Sequence, residues 1–354
     1  MKTTNSTSRL LLALATGSLF ATAAQAQIEV VITGATAFRS IVQDRIPNYL
    51  LTGVTTIRAT NAGVEVITYT GNLANVSPSL NGQPAIIRTS FTGSGKGLSD
   101  VYTGTPVQCA LATGTLVAKT PDIAFSDAYP ASVTPPLKTT DFDTVTNVGV
   151  VPFVFVAHNT TGITNITQDQ VELLMTASGV MPASFLGGAN GNPVYLVGRD
   201  NESGTRIVTF KCVAFTGEPI QWAKVGGVWV TTNGFASSSI VRSVTAANAD
   251  AIGYMTASDA LAIVGSARTL TYNGVAYNTA NVLNGSYSIW GYEIAAARVG
   301  IGANQKTVFR ALAAAIADPT YQTTNPNYVG KYEVISQMQV ERSGDGAVIT
   351  SKNW

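Results

Sequence analysis

Residues 194–215 restrict the fold more than any other part of this chain. Val194-Tyr195-Leu196-Val197 is an apolar run that reads as a strand, and residues 207–215 read as a helix. Between them lies Gly198-Arg199-Asp200-Asn201-Glu202-Ser203-Gly204-Thr205-Arg206. A Ser-Gly-Thr step between strand and helix leaves backbone N–H groups and two hydroxyls at a helix N-terminus. Those donors have no intrahelical partner and the helix dipole favours negative charge, so the step suits a small anion. Arg199, four residues before Ser203, adds a forked, permanently charged donor.

The same alternation runs along the chain. Residues 28–33 read as a strand, followed by a Gly34-Ala35-Thr36-Ala37 turn and a helix carrying Phe38, Ile41, Val42, Ile46 and Leu50 at helical spacing. Strands are expected at 55–58, 64–69, 84–91, 122–125 and 251–255. The apolar run 147–157 contains Pro152, which suggests a sheet edge or a strand start. Thr167-Gln168-Asp169-Gln170 has capping-box spacing and opens a helix with Val171, Leu174 and Met175. Residues 307–317 give another helix, with Val308, Leu312 and Ala315 on one face. The pattern predicts an α/β protein with largely parallel pairing.

Residues 1–26 have the layout of a cleaved leader: Lys2 and Arg9, an apolar stretch from 10 to 24, and Ala24-Gln25-Ala26. The expectation is an exported bacterial protein, cleaved after Ala26, with no membrane insertion afterwards. No cysteine near that site marks a lipid anchor. Loss of Lys2 and Arg9 takes the net charge from +1 to −1, which leaves no electrostatic footprint for nucleic acid. Charged residues are only 12% of the chain, yet 45% hydrophobic content supports real cores, and the 328 residues left after the leader (354 minus 26) suggest about two domains. Cys109 and Cys212 are the only cysteines; export permits a bridge, and two buried thiols is the plainer reading.

Four segments share one design, a strand end followed by a Gly- and hydroxyl-rich turn: Thr33-Gly34-Ala35-Thr36, Thr92-Gly93-Ser94-Gly95, Ser126-Asp127, and residues 199–205. In α/β sheets, ligands bind outside the carboxyl ends of strands, so four such loops can converge on one small ligand. Singly, each has a simpler explanation: an N-cap at Thr36, a turn at 93–97, a capping pair at Ser126-Asp127, a cap alone at Ser203.

With these segments in this order, the chain resembles the phosphate-binding protein of bacterial phosphate ABC transporters, and more broadly the periplasmic substrate-binding superfamily. Thr33-Gly34-Ala35-Thr36-Ala37-Phe38 is similar to that family's first loop, Gly93-Ser94-Gly95 to its Gly-Ser-Gly loop, and Ala124-Phe125-Ser126-Asp127-Ala128 to its Ala-Ser-Asp-Ala strand end. Arg199-x-x-x-Ser203-Gly204-Thr205 keeps the spacing of its Arg…Ser-Gly-Thr loop, with Asn201 and Glu202 where the family has an acid and a glycine. The resemblance implies a two-lobed fold, each lobe a mainly parallel sheet flanked by helices. Lobe one would be residues 27–150 plus 256–354, and lobe two 151–255. It implies ligand contacts from Thr36, Ala37, Ser94, Gly95, Asp127, Arg199, Ser203, Gly204 and Thr205. The ligand would be phosphate or a related oxyanion, held by a periplasmic monomer that serves an ABC transporter, with no cofactor or metal. Asp127 would act as the selector. A carboxylate in an anion site accepts a hydrogen bond from a protonated ligand and repels one that has no proton to offer, such as sulfate.

Enzyme readings are weak. The single histidine, His158, reads as an exposed loop residue, no Ser-His-Asp set assembles without it, and no Cys/His cluster suggests zinc. Gly93-Ser94-Gly95-Lys96-Gly97 lacks the spacing of a nucleotide phosphate loop. Three readings stand: an oxyanion receptor, the same scaffold used for surface attachment, and a secreted hydrolase.

Overall fold

The structure is a computed structural model that describes residues 27–352. The expected leader, residues 1–26, lies outside the described residues.

In chain order, β1 (Ile28–Gly34) leads through α1 (Arg39–Arg45) and a π-helical turn (Ile46–Leu50) to the hairpin β2 (Leu51–Asn61) and β3 (Val64–Leu73). Next come β4 (Pro84–Ser90), α2 (Ser94–Thr103), a small hairpin of β5 (Val107–Ala112) and β6 (Thr115–Lys119), and β7 (Ile123–Ser126). The long β8 (Phe142–His158) follows, then β9 (Asn165–Ile166), α3 (Gln168–Thr176), β10 (Val180–Pro182), β11 (Pro193–Val197) and α4 (Gly204–Cys212). A second small hairpin, β12 (Gln221–Val225) and β13 (Val228–Thr232), precedes α5 (Ser238–Ala247), β14 (Ala251–Thr256) and α6 (Ala257–Leu261). The chain continues through β15 (Ala267–Thr269), β16 (Thr271–Tyr272), α7 (Thr279–Leu283), β17 (Trp290–Arg298) and α8 (Ala303–Ala317).

One connected sheet runs in the order β10-β11-β14-β8-β17-β7-β1-β4-β3-β2, with β15 also on β8. The 17 residues of β8 carry it from one lobe to the other: residues 142–152 pair with β17, and 153–157 pair with β14. Pro152, expected at an edge or a strand start, sits inside this strand at the changeover. There the absent N–H interrupts the ladder least, because pairing is being handed from one neighbour to the other. The expected parallel pairing is realised at β1–β4, β1–β7 and β11–β14. The flanking strands pair antiparallel, since the β2–β3 connection is a tight turn and β8 must face a partner in each lobe. Strands β15 and β16 pair with the far half of β8 and with β9.

Local sequence explains the elements. Thr167 and Gln170 form the expected capping box at α3, the Thr167 hydroxyl accepting from Gln170 N and the Gln170 side chain accepting from Thr167 N. Val171, Leu174 and Met175 form the buried face of that helix. Phe38, Ile41, Val42, Ile46 and Leu50 are fully buried as their spacing predicts. Phe38 packs edge-on against Tyr332, ring centroids 5.1 Å apart, which ties the first loop to the C-terminal region. Burying a side chain of this size stabilises by about 1.5–3 kcal/mol. The parallel strands β1, β4 and β7 end on one edge of their sheet, and their loops therefore meet there.

Candidate functional site

Each loop brings its groups to that edge for a local reason. After β1, Gly34 has φ +118°, and a Cβ there would lie 1.8 Å from the Phe125 carbonyl oxygen, so only glycine lets β1 and β7 deliver their loops side by side. After β4, Gly93 precedes α2, whose first residue is Ser94. After β7, Asp127 follows Ser126, whose hydroxyl donates to Ala128 O and so fixes the turn. After β11, Ser203 caps α4, its hydroxyl accepting from Arg206 N.

Thr36, Ala37, Gly93, Ser94, Asp127, Arg199, Ser203, Gly204 and Thr205 line one small cavity, closed too tightly to admit a water molecule. Eight of the nine residues expected from the sequence are thus brought together. The ninth, Gly95, stands beside the cavity: its N–H donates to Glu202 O across the two lobes at 3.0 Å. Glu202 contributes that carbonyl and does not line the cavity.

The buried Arg199 is clamped in place. Its Nε donates to Phe235 O at 2.9 Å, Nη2 to Ala236 O at 3.0 Å, and Nη1 to Ser238 Oγ at 2.6 Å and Thr205 Oγ1 at 3.3 Å. Four of the five guanidinium N–H groups are so occupied, leaving one for a ligand. The hydroxyls of Ser238 and Thr205 accept from Arg199, which frees their own protons to donate elsewhere. The Arg199 backbone is held by Tyr254, Gln221 and Arg206: its N–H donates to Tyr254 Oη, and its carbonyl accepts from Gln221 Nε2 and Arg206 Nη1. Burial lowers the pKa of Arg199, against the opposing pull of the Asp200 and Asp127 carboxylates. Asp200, one place earlier than the acid of the resembled loop, thus still acts on the arginine.

Asp127 is 1% exposed and accepts a short hydrogen bond from Ser94 Oγ. Burial raises its pKa, while Ser94 and the Arg199 charge oppose that rise. Behind it in the sheet lies Glu293, fully buried and without a hydrogen-bond partner on either carboxylate oxygen. Burial first, then the Asp127 charge, pushes its pKa well above the usual range. The sequence reading missed Glu293, because a lone Glu in an apolar strand carries no motif. It also missed the cradle of Phe235, Ala236 and Ser238. The Ser237-Ser238-Ser239 run that caps and opens α5 was the one available signal.

His158, expected in an exposed loop, ends β8, half-buried, with Nδ1 2.8 Å from Thr160 Oγ1. Cys109 and Cys212 are both free thiols; Cys109 is buried, and Cys212 accepts from Arg342 Nη1 at 3.0 Å.

A small, tightly closed site where loops from the two lobes meet, with donors gathered around one arginine, is the arrangement of a two-lobed binding-protein fold. The family comparison agrees. Residues 21–330 match the PBP superfamily domain, and the chain belongs to that family. No curated protein matches. Among solved structures, a Clostridium perfringens protein assigned as a phosphate ABC transporter substrate-binding protein, with phosphate bound, is similar at 18% identity and a TM-score of 0.56; the match covers 83% of this chain and 95% of that one. An ABC-type phosphate transport receptor from Vibrio cholerae is similar at 15% identity and a TM-score of 0.50, covering 80% and 93%. The high-affinity periplasmic phosphate-binding protein PfluDING, bound with phosphate, is similar at 14% identity and a TM-score of 0.51, covering 83% and 87%. These likenesses establish the fold.

Proposed function

We propose that this protein is an exported solute-binding protein that captures phosphate in the interlobe cavity and delivers it to an ABC transporter. The observation that carries this reading is the meeting of Arg199 and Asp127, one from each lobe, within a single cavity that the hydroxyl-bearing Thr36, Ser94, Ser203 and Thr205 also line. The arginine supplies charge-assisted donors, Thr36, Ser203 and Thr205 supply neutral ones, and Asp127 accepts the proton of a protonated anion. A ligand of four oxygens carrying one or two protons satisfies both kinds of partner; sulfate leaves Asp127 without a donor and repels it. The bound solutes of the structural relatives support the same class.

The lobes would meet on the ligand by hinge closure. We place the outward crossing at Pro152. We infer a return between Tyr272 and Trp290 in preference to one near residue 256, a reading supported by the pairing of β15 with β8 and of β16 with β9. The reading includes action in the periplasm as a monomer, without catalysis.

Calorimetry with phosphate, arsenate, sulfate and molybdate tests it. Phosphate and arsenate are expected to bind and sulfate to give no heat. Silence with all four would remove the receptor reading and favour attachment, and turnover of a phosphoester would revive a hydrolase.

A further inference from the structure

The inner cavity has little net charge with which to draw an anion in. Arg199 is its only cation, and Asp127 and Asp200 act on that arginine from close by. Positive charge is instead found one step outward. An open groove shares Thr36 and Ala37 with the inner cavity and also reaches Ser238, the residue that holds Arg199. Arg39, Arg242 and Lys331 line it, with Asp259 as the only acid. Asp259 is already engaged: it pairs with Arg242 at 2.9 Å and accepts from Thr256 Oγ1 at 3.0 Å. Arg39 and Lys331 have no ion pair or side-chain hydrogen bond among the described residues. In a chain with 12% charged residues, two unpaired cations facing one groove are a concentration of charge.

We propose that this groove is an outer capture site for small oxyanions, where Arg39 and Lys331 hold the anion by charge before it passes Thr36 and Ala37 into the inner cavity. The inference rests on the phosphate reading of the inner cavity. The outer site's one carboxylate, Asp259, is neutralised by Arg242 and the site's hydroxyls can turn to donate, so it takes phosphate and sulfate alike, and discrimination is left to Asp127. A cleft lined by one sign of charge raises the local concentration of its ligand and the association rate, and salt screens this over about 8–10 Å. Such rim charges act on the on-rate and its salt dependence more than on the off-rate.

Rapid-mixing kinetics with inorganic phosphate, followed by tryptophan fluorescence at low and high ionic strength, tests the site. In the parent, the association rate should fall about tenfold as salt rises from roughly 0.01 M to 0.2 M. The double variant Arg39→Gln/Lys331→Gln should associate about tenfold more slowly at low salt, with a nearly flat salt dependence and an unchanged dissociation rate. An association rate and salt slope equal to the parent's would overturn the capture site while leaving the inner site intact. Absence of equilibrium phosphate binding in the parent would remove the inner-site reading, and the capture site with it.

Discussion

The carboxylate of Asp127 occupies the space that a side chain on Gly204 would need: a Cβ on Gly204 would lie 1.6 Å from Asp127 Oδ1 and 2.4 Å from Ser94 Oγ. The two residues come from different lobes. Their contact closes the cavity, so the glycine of the Ser-Gly-Thr step is required by a partner 77 positions away as well as by the helix it opens.

Gly204→Ala should therefore hold the lobes apart. Overpacking of this kind costs roughly 1–3 kcal/mol, which corresponds to about fivefold to 150-fold weaker phosphate binding. Calorimetry gives the affinity, and small-angle scattering at saturating phosphate should show a larger radius of gyration than the parent. Parent-like values in both would mean that the contact is not part of closure.

Arg199→Ala removes the only cation lining the cavity and takes one donor each from the carbonyls of Phe235, which keeps the Asp200 N–H, and Ala236. Loss of the buried guanidinium charge and its remaining donor should weaken phosphate binding by about 2–5 kcal/mol. Equal affinity in the variant would reduce the Ser-Gly-Thr turn to a helix cap.

Asp127→Asn changes selectivity more than affinity. The amide no longer repels a fully ionised anion, so sulfate should gain on phosphate while phosphate weakens modestly. The ratio of the two dissociation constants is the measurement; an unchanged ratio assigns the selection to other residues.

Asp345, which does not line the cavity but feels the Asp127 charge, gives a stability prediction. Burial first raises its pKa to about 6, against the hydrogen bond it accepts from the Tyr129 N–H. Because the folded value lies above the unfolded one, the native state holds more protons between about pH 4 and 6, and stability falls as pH rises through that window. The difference is worth about 3 kcal/mol. Urea unfolding of the parent and Asp345→Asn at pH 4 and pH 7 should show the parent losing about that much more than the variant; parallel behaviour would mean the carboxyl is ionised without cost.

The segments were legible because each announces itself locally. The caps at Thr167 and Ser203, the buried stripe from Phe38 to Leu50 and the strand-end turns follow from side-chain periodicity and from the hydrogen bonds a helix start requires. Even eight of the nine cavity residues were legible, because polar turns at strand ends are conspicuous in an apolar chain.

What the sequence by itself determined was the order of strands, turns and helices and the chemistry each turn offers, since those depend on neighbours a few positions apart. Tertiary structure alone decided that Pro152 falls inside a strand shared by both lobes, that backbone carbonyls of Phe235 and Ala236 clamp Arg199, and that Glu293 is buried behind Asp127 with no partner. These depend on which distant strands pair and which loops meet. A periodic pattern reports the buried face of its own segment and says nothing of what covers that face.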